Sequence, residues 1–145
     1  MISIIQKHKI HPTLVSRLRR YCSKILNYLK IEDKNLTIIL LNNLDISALN
    51  KKYFNKDKPT NVIAFPFEDN NNLGEIYISV ETAIAEASEW EVSLFFEICY
   101  LVIHAVLHLL GYDHLASEKD EEIMENKEIE IVQNLNLNIW RKPTL

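Results

Sequence analysis

Apolar positions along the chain change period several times, and each change marks an element. Residues 2–6 are a short apolar run that reads as a first strand. After Pro12, apolar side chains recur at Leu14, Val15, Leu18, Tyr21, Cys22, Ile25 and Leu29. That is the three-and-four spacing of one helix face, with proline suited to the first turn. Residues 36–41 are continuously β-prone and bounded by polar residues, so they read as a second strand. Asp45 reads as the cap of a short helix to about Tyr53, and residues 54–60 as a loop. Residues 62–65 and 75–79 are two further strands, separated by the turn-prone Glu68, Asp69, Asn70, Asn71 and Asn72. A hairpin with its tip at residues 70–72 is the economical connection. The rest is helical: residues 80–88, an apolar stretch over 92–110, and an acidic helix to about Asn134 that Ser117 and Asp120 open as a capping box.

This order predicts an α/β (α+β) fold with about four strands in one mixed sheet, the apolar helix central and buried, and the other helices around it. With 145 residues, 48% of them apolar, the chain can bury one core and is too short for two typical domains, so residues 1–145 are expected to form a single domain. Repeats and low-complexity linkers do not occur in it. Cys22 and Cys99 lie among apolar neighbours in helices and read as reduced core residues. Trp90 reads as a seat for the central helix and Trp140 as structural. The first residues lack the basic-then-apolar layout of a secretion signal, and His104, His108 and Glu97 interrupt the most apolar run. A cytoplasmic location without membrane contact is expected.

Net charge changes the picture only when it is split. Residues 1–60 hold 12 Lys or Arg against 4 Asp or Glu, a balance of +8, whereas residues 61–145 hold 4 against 16, a balance of −12. The overall −4 therefore conceals a basic half. Arg17, Arg20 and Lys24 share a face of the first helix, and Lys51, Lys52, Lys56 and Lys58 cluster in and before the loop. Either group is a candidate contact for an anionic polymer such as RNA; the plain alternative is a solvated face.

Three of the five histidines fall within residues 104–114. On a helix, His104 and His108 are four residues apart and stack on one face about 6 Å from each other. Gly111 can tolerate positive φ and break the helix, so that His114 returns from a loop towards the pair. A lone histidine on an apolar helix is ordinarily a hydrogen-bonded core residue, but three at this spacing make the layout of a catalytic zinc site with one ion per chain and a fourth position left for water. The histidines and glycine match the longer zinc-protease pattern H-E-x-x-H-x-x-G-x-x-H. Ala105 stands where that pattern needs its glutamate, and a methyl group cannot take a proton.

Residues 104–114 instead resemble the H-G-x-L-H-L-x-G-Y-D-H signature of the bacterial YbeY-type rRNA maturation endoribonucleases, with Leu107, Leu109, Gly111, Tyr112 and Asp113 in place and Ala105 replacing the usual glycine. Residues 56–66 are similar to the family's K-D-x-P-T-[DN]-V-L-S-F-P segment, preceded by Leu49 and Asn50, and residues 74–79 to its G-[DE]-I-x-I-S strand. One departure stands out: where the family usually has an arginine after the tyrosine, this chain has Phe54 after Tyr53. Either Lys56 or Lys58 then supplies the positive charge, or this member is slow or specialised.

The resemblance implies a zinc-dependent, single-strand-specific endoribonuclease in ribosomal RNA processing, acting at the small-subunit rRNA 3′ end and in ribosome quality control. A ribosomal protein or an assembly GTPase are the implied partners. In that reading His104, His108 and His114 hold Zn²⁺ and its water, Lys56 and Lys58 are candidate catalytic phosphate clamps, and Arg17, Arg20 and Lys24 join them as candidate substrate contacts. Whether water or the RNA 2′-hydroxyl attacks stays open. Asp113 is expected to fix the turn through backbone amides, while Tyr112 packs on the helix end or meets a substrate oxygen. Two rivals remain: a zinc metallohydrolase of another substrate class, and a non-catalytic ribosome-assembly factor with structural zinc.

Overall fold

The computed structural model describes residues 1–67, 69–113 and 115–137; Glu68, His114 and Trp140 lie outside the described residues. Its elements run β1 (Ile2–Gln6), α1 (Pro12–Tyr28), β2 (Asn35–Leu41), α2 (Asn43–Phe54), β3 (Val62–Pro66), β4 (Asn72–Ser79), α3 (Val80–Trp90), α4 (Leu94–Leu109) and α5 (Glu118–Asn134). The four strands form one mixed sheet in the order β1-β2-β4-β3. β1 and β4 both run parallel to β2, whereas β3 pairs antiparallel with β4 as the far edge, with Val62 opposite Ile78 and Pro66 opposite Gly74.

Why β2 is apolar at nearly every position follows from its place inside the sheet. Leu36, Ile38 and Leu40 enter the main core, while Ile39 and Leu41 face the opposite way into a smaller cluster with Ile46 of α2 and Ile63 of β3. Successive side chains of a strand point to opposite faces, so a strand covered on both sides needs no polar alternation. The main face is covered by α1 and α4, and α4 is enclosed further by α3 and α5. Eleven of its sixteen residues are buried, which is the behaviour of a helix apolar all round. Among the described residues no single helix is long and apolar enough to cross a membrane. Cys22 and Cys99 are both free and buried in this core, and burial pushes the Cys99 thiol up to about 12.

Several boundaries differ from the sequence expectation. α2 begins at Asn43, and its cap is Asn42, whose Oδ1 accepts from the Asp45 amide at 2.8 Å; Asp45 is the capped residue instead of the cap. The helix expected to start at Val92 starts at Leu94, because Glu91 takes a left-handed conformation (φ 56°) that ends α3, and Ser93 then caps α4 through the Phe96 amide. β4 reaches back to Asn72, since Asp69 accepts from the Asn71 amide and the Asn72 side chain, each at 2.8 Å, and closes the turn early. The Ser117 capping interaction is present as expected, with its Oγ accepting from the Asp120 amide at 3.1 Å.

Candidate active site

The end of α4 and the edge strand β3 enclose a cleft of about 500 Å³. His104, Ala105, His108 and Leu109 form one wall, β3 from Val62 to Ala64 with Pro66 the other, and Asn50, Phe54, Thr60 and Asn61 the rim. The rim is held in place by its own hydrogen bonds. Asn50, almost fully buried, donates its side-chain amide to the Lys58 carbonyl at 3.0 Å, and the Asn61 carbonyl accepts from the Ser79 amide at 3.0 Å. The loop between α2 and β3 is thus tied at both ends to buried structure.

Within the cleft the His104 and His108 rings lie with centroids 4.9 Å apart, at 73° to each other. One contact orients His104, and a second holds the group that makes it. Its Nδ1 is 2.7 Å from Oε1 of Glu128 on α5, and the other oxygen of that carboxylate accepts from the Tyr100 hydroxyl at 2.6 Å. A carboxylate partner accepts, which for a neutral imidazole assigns the Nδ1–H tautomer and makes Nε2 the nitrogen suited to ligate. The Glu128 side chain is only 5% exposed against 25% for His104, so the carboxylate supports the ring from the protein side and leaves the ring's other edge to the cleft. Metal-ligating histidines are typically oriented in this way.

Gly111 turns the chain as its position suggested. The Gly111 amide donates to the His108 carbonyl and the Tyr112 amide to that of Leu107, both at 3.0 Å, closing α4 in a Schellman arrangement with Gly111 at φ 98°. The Asp113 carboxylate accepts from the Leu115 amide at 2.9 Å, the turn-fixing role expected of it, and the Tyr112 ring packs against the main core. His114, the third expected ligand, lies outside the described residues; among those described, no group of three or more His, Cys, Asp or Glu side chains is arranged to hold a metal. His11 is used elsewhere, its Nδ1 accepting from the Thr13 amide at 3.1 Å to cap α1.

The basic candidates divide. Lys56 and Lys58 belong to the loop beside the cleft, where both are exposed, but neither lines its wall. Arg17, Arg20 and Lys24 sit on α1, with the Arg17 guanidinium 4.0 Å over the Phe95 ring and Lys24 Nζ 4.7 Å from that of Tyr21. Phe95 lies in the first turn of α4, nine residues before His104 and thirteen before His108, so at 1.5 Å rise per residue this basic face is about 14 Å along the helix from the first histidine and about 20 Å from the second. The structure does not bring it into the cleft. Phe54, by contrast, is half exposed on the rim, with its ring stacked on Phe65 at 6.2 Å between centroids and 15° between planes.

Glu128 escaped the sequence reading. The signal was present: α5 buries Met124, Glu128, Ile131 and Val132, so a glutamate occupies a position of the helix's inward stripe. It was concealed among the six other acidic residues of the same helix, Glu118, Asp120, Glu121, Glu122, Glu125 and Glu130.

Comparison with known proteins adds to this geometry. The family model described as Endoribonuclease YbeY matches residues 1–136. The chain is 37% identical over 138 residues to the Endoribonuclease YbeY of Geobacter metallireducens, covering 90% of this chain and 92% of that protein. It is 44% identical over 112 residues to that of Colwellia psychrerythraea, covering 74% and 72%. The solution structure of a Thermotoga maritima protein matches the fold with a TM-score of 0.69 at 30% identity, covering 93% of this chain and 89% of the other.

Proposed function

The chain belongs to the YbeY endoribonuclease family, and from that premise we propose that its histidine cleft is the active site of a metal-dependent endoribonuclease that cuts single-stranded RNA in ribosomal RNA processing. The observation behind this is the His104 and His108 pair at the cleft wall, with the His104 ring 2.7 Å through Nδ1 from the carboxylate of buried Glu128. Family membership supports RNA cleavage. Zinc as the metal, the small-subunit rRNA 3′ end as the substrate, a part in ribosome quality control and recruitment by a ribosomal protein or GTPase are the finer reading.

The donor set suits zinc: two imidazoles four residues apart on a rigid helix, one with an outer carboxylate partner. His104 through Nε2 and His108 would hold the ion, with His114 as the third ligand expected from the sequence. Bound there, it would supply positive charge to polarise a phosphoryl oxygen and acidify water. The remaining work belongs to the chain itself. Val62, Ala64 and Leu109 make apolar walls that exclude bulk water, and Thr60 and Asn61 place polar side chains on the rim. Lys56 and Lys58, exposed on the tethered loop, would meet phosphates flanking the one in the cleft. Ala105 stands where a zinc protease carries its glutamate base, and no carboxylate lines the cleft among the described residues, which favours RNA over a peptide as substrate.

Glu128→Gln should separate orientation from fold. The substitution keeps the shape but replaces an acceptor-only group with an amide that also donates and carries no charge, so the His104 ring is no longer held to one tautomer and metal affinity measured by chelator competition should fall roughly tenfold to hundredfold, with little change in melting temperature. The substrate reading is tested by incubating metal-loaded protein with small-subunit rRNA bearing its 3′ precursor extension, single-stranded or annealed to a complementary strand. Cleavage of the single-stranded form alone is expected; equal cleavage of both, or of neither, contradicts the proposal.

A further inference from the structure

Phe54 is an unusual residue for its position. It is the last residue of α2, followed by Asn55 in a left-handed cap (φ 56°), and half of its surface faces water. Burying such a ring is worth a few kcal/mol in general, so a large ring left half in solvent at a helix end is not explained by the core. Nor is the ring loosely placed. It lies nearly parallel to Phe65, which is met edge-on by Tyr53 at 4.9 Å and by Tyr77 at 5.7 Å, and which packs on the cluster of Ile39, Leu41, Ile46 and Ile63. An anchored aromatic stack thus ends in a ring with one face on Phe65, on the rim of the cleft that holds His104 and His108. The surroundings are cationic on balance: Lys52 Nζ is 5.2 Å from the Tyr53 ring, and Lys56 and Lys58 follow on the loop, against Asp57, which pairs with Lys51 at 3.8 Å, and Glu75 opposite Phe65.

We propose that Phe54, backed by Phe65, is a stacking platform for one unpaired nucleobase of the RNA held in the cleft. This rests on the endoribonuclease reading and gives it a physical basis for strand selection. A base in a duplex has both faces covered by its neighbours, whereas an unpaired base offers a π-face to an aromatic side chain. Exposed lysines beside the ring hold the backbone without regard to sequence, and the ring fixes which nucleotide sits at the rim. At the position where the family resemblance places an arginine, this chain grips a base where a guanidinium would grip a phosphate.

The test is equilibrium binding of the full chain, in chelator to prevent cleavage, to a single-stranded oligoribonucleotide and to an abasic oligonucleotide of the same length and charge. Phe54→Leu should weaken binding to the base-bearing strand about tenfold and leave abasic binding unchanged, while Phe54→Trp should keep or improve affinity. Because stacking releases no counterions, Phe54→Leu should not alter the slope of affinity against salt, whereas charge reversal at Lys56 and Lys58 should flatten it. Unchanged affinity of Phe54→Leu for the base-bearing strand, or an equal loss for the abasic one, overturns the platform. Cleavage of single-stranded RNA by the wild-type protein, followed in the same preparations with metal restored, tells the two failures apart. If the wild type cleaves while Phe54→Leu binds normally, only the platform is wrong; if the wild type neither binds nor cleaves, the endoribonuclease reading fails with it.

Discussion

Alanine at either His104 or His108 is expected to abolish stoichiometric metal binding, and alanine at His104 should also destabilise the protein. Both rings face the cleft, so each loss removes a ligand, and the fall in metal affinity should exceed the roughly tenfold to hundredfold expected for loss of an outer partner such as Glu128. The destabilisation at His104 comes from what lies behind its ring. His104 satisfies one oxygen of the buried Glu128 carboxylate, whose other oxygen accepts from the hydroxyl of partly exposed Tyr100. Removing the imidazole leaves that oxygen short of a donor, at a cost of about 1–3 kcal/mol. Elemental analysis and thermal melts on the two variants check both parts. His11→Ala is the control: it should keep the metal and lose only an α1 cap, about 1 kcal/mol.

Gly74→Ala is expected to be the most damaging single methyl group in the sheet. Gly74 has φ 151°, which L side chains rarely adopt, and a Cβ there would stand 2.3 Å from the Phe65 carbonyl oxygen and 3.0 Å from Leu109 Cδ2. The first neighbour is backbone and cannot turn aside, so β3 must separate from β4 at Pro66 or the Gly74 backbone must strain. Strain and overpacking each cost about 1–3 kcal/mol. A total of roughly 3 kcal/mol lowers the melting temperature by about 10 °C for a chain of this size. Leu109 and Pro66 also line the cleft, so the surviving folded fraction should cleave RNA poorly. A melt combined with a cleavage rate corrected for folded fraction checks this expectation.

These contacts indicate what could be read from the chain and what could not. The order of elements was legible because it depends on local periodicity: the β2 run, the α1 face and the apolar α4 each follow from spacing alone. The sheet's mixed character and the β3–β4 hairpin followed from the short turn between them. Boundaries failed where two capping residues competed. Asn42 and Asp45 are both good caps, and only the β2 end point decides that Asn42 serves. At the site, His104 and His108 were legible because both lie on one helix, with the Gly111 break next to them. Glu128 was not, since its relation to His104 spans 24 residues and depends on how α5 packs on α4. Lys56 and Lys58 are near the cleft in sequence, yet their side chains do not line it; a loop's charge says where an anion is attracted and not which groups touch it. Phe54 was visible as a departure from the family motif, but only its exposure and its stack on Phe65 give it a role.

The central claim is that the His104 and His108 cleft cleaves RNA with a bound metal. The most direct measurement is the single-turnover rate on one single-stranded RNA with the metal-loaded wild type, with the same protein after chelation and re-addition of zinc, and with His108→Ala. Cleavage by the wild type is expected, with loss on chelation, recovery with zinc and a rate roughly 10²- to 10³-fold lower in the folded His108→Ala variant. Cleavage by folded His108→Ala at the wild-type rate would contradict that claim.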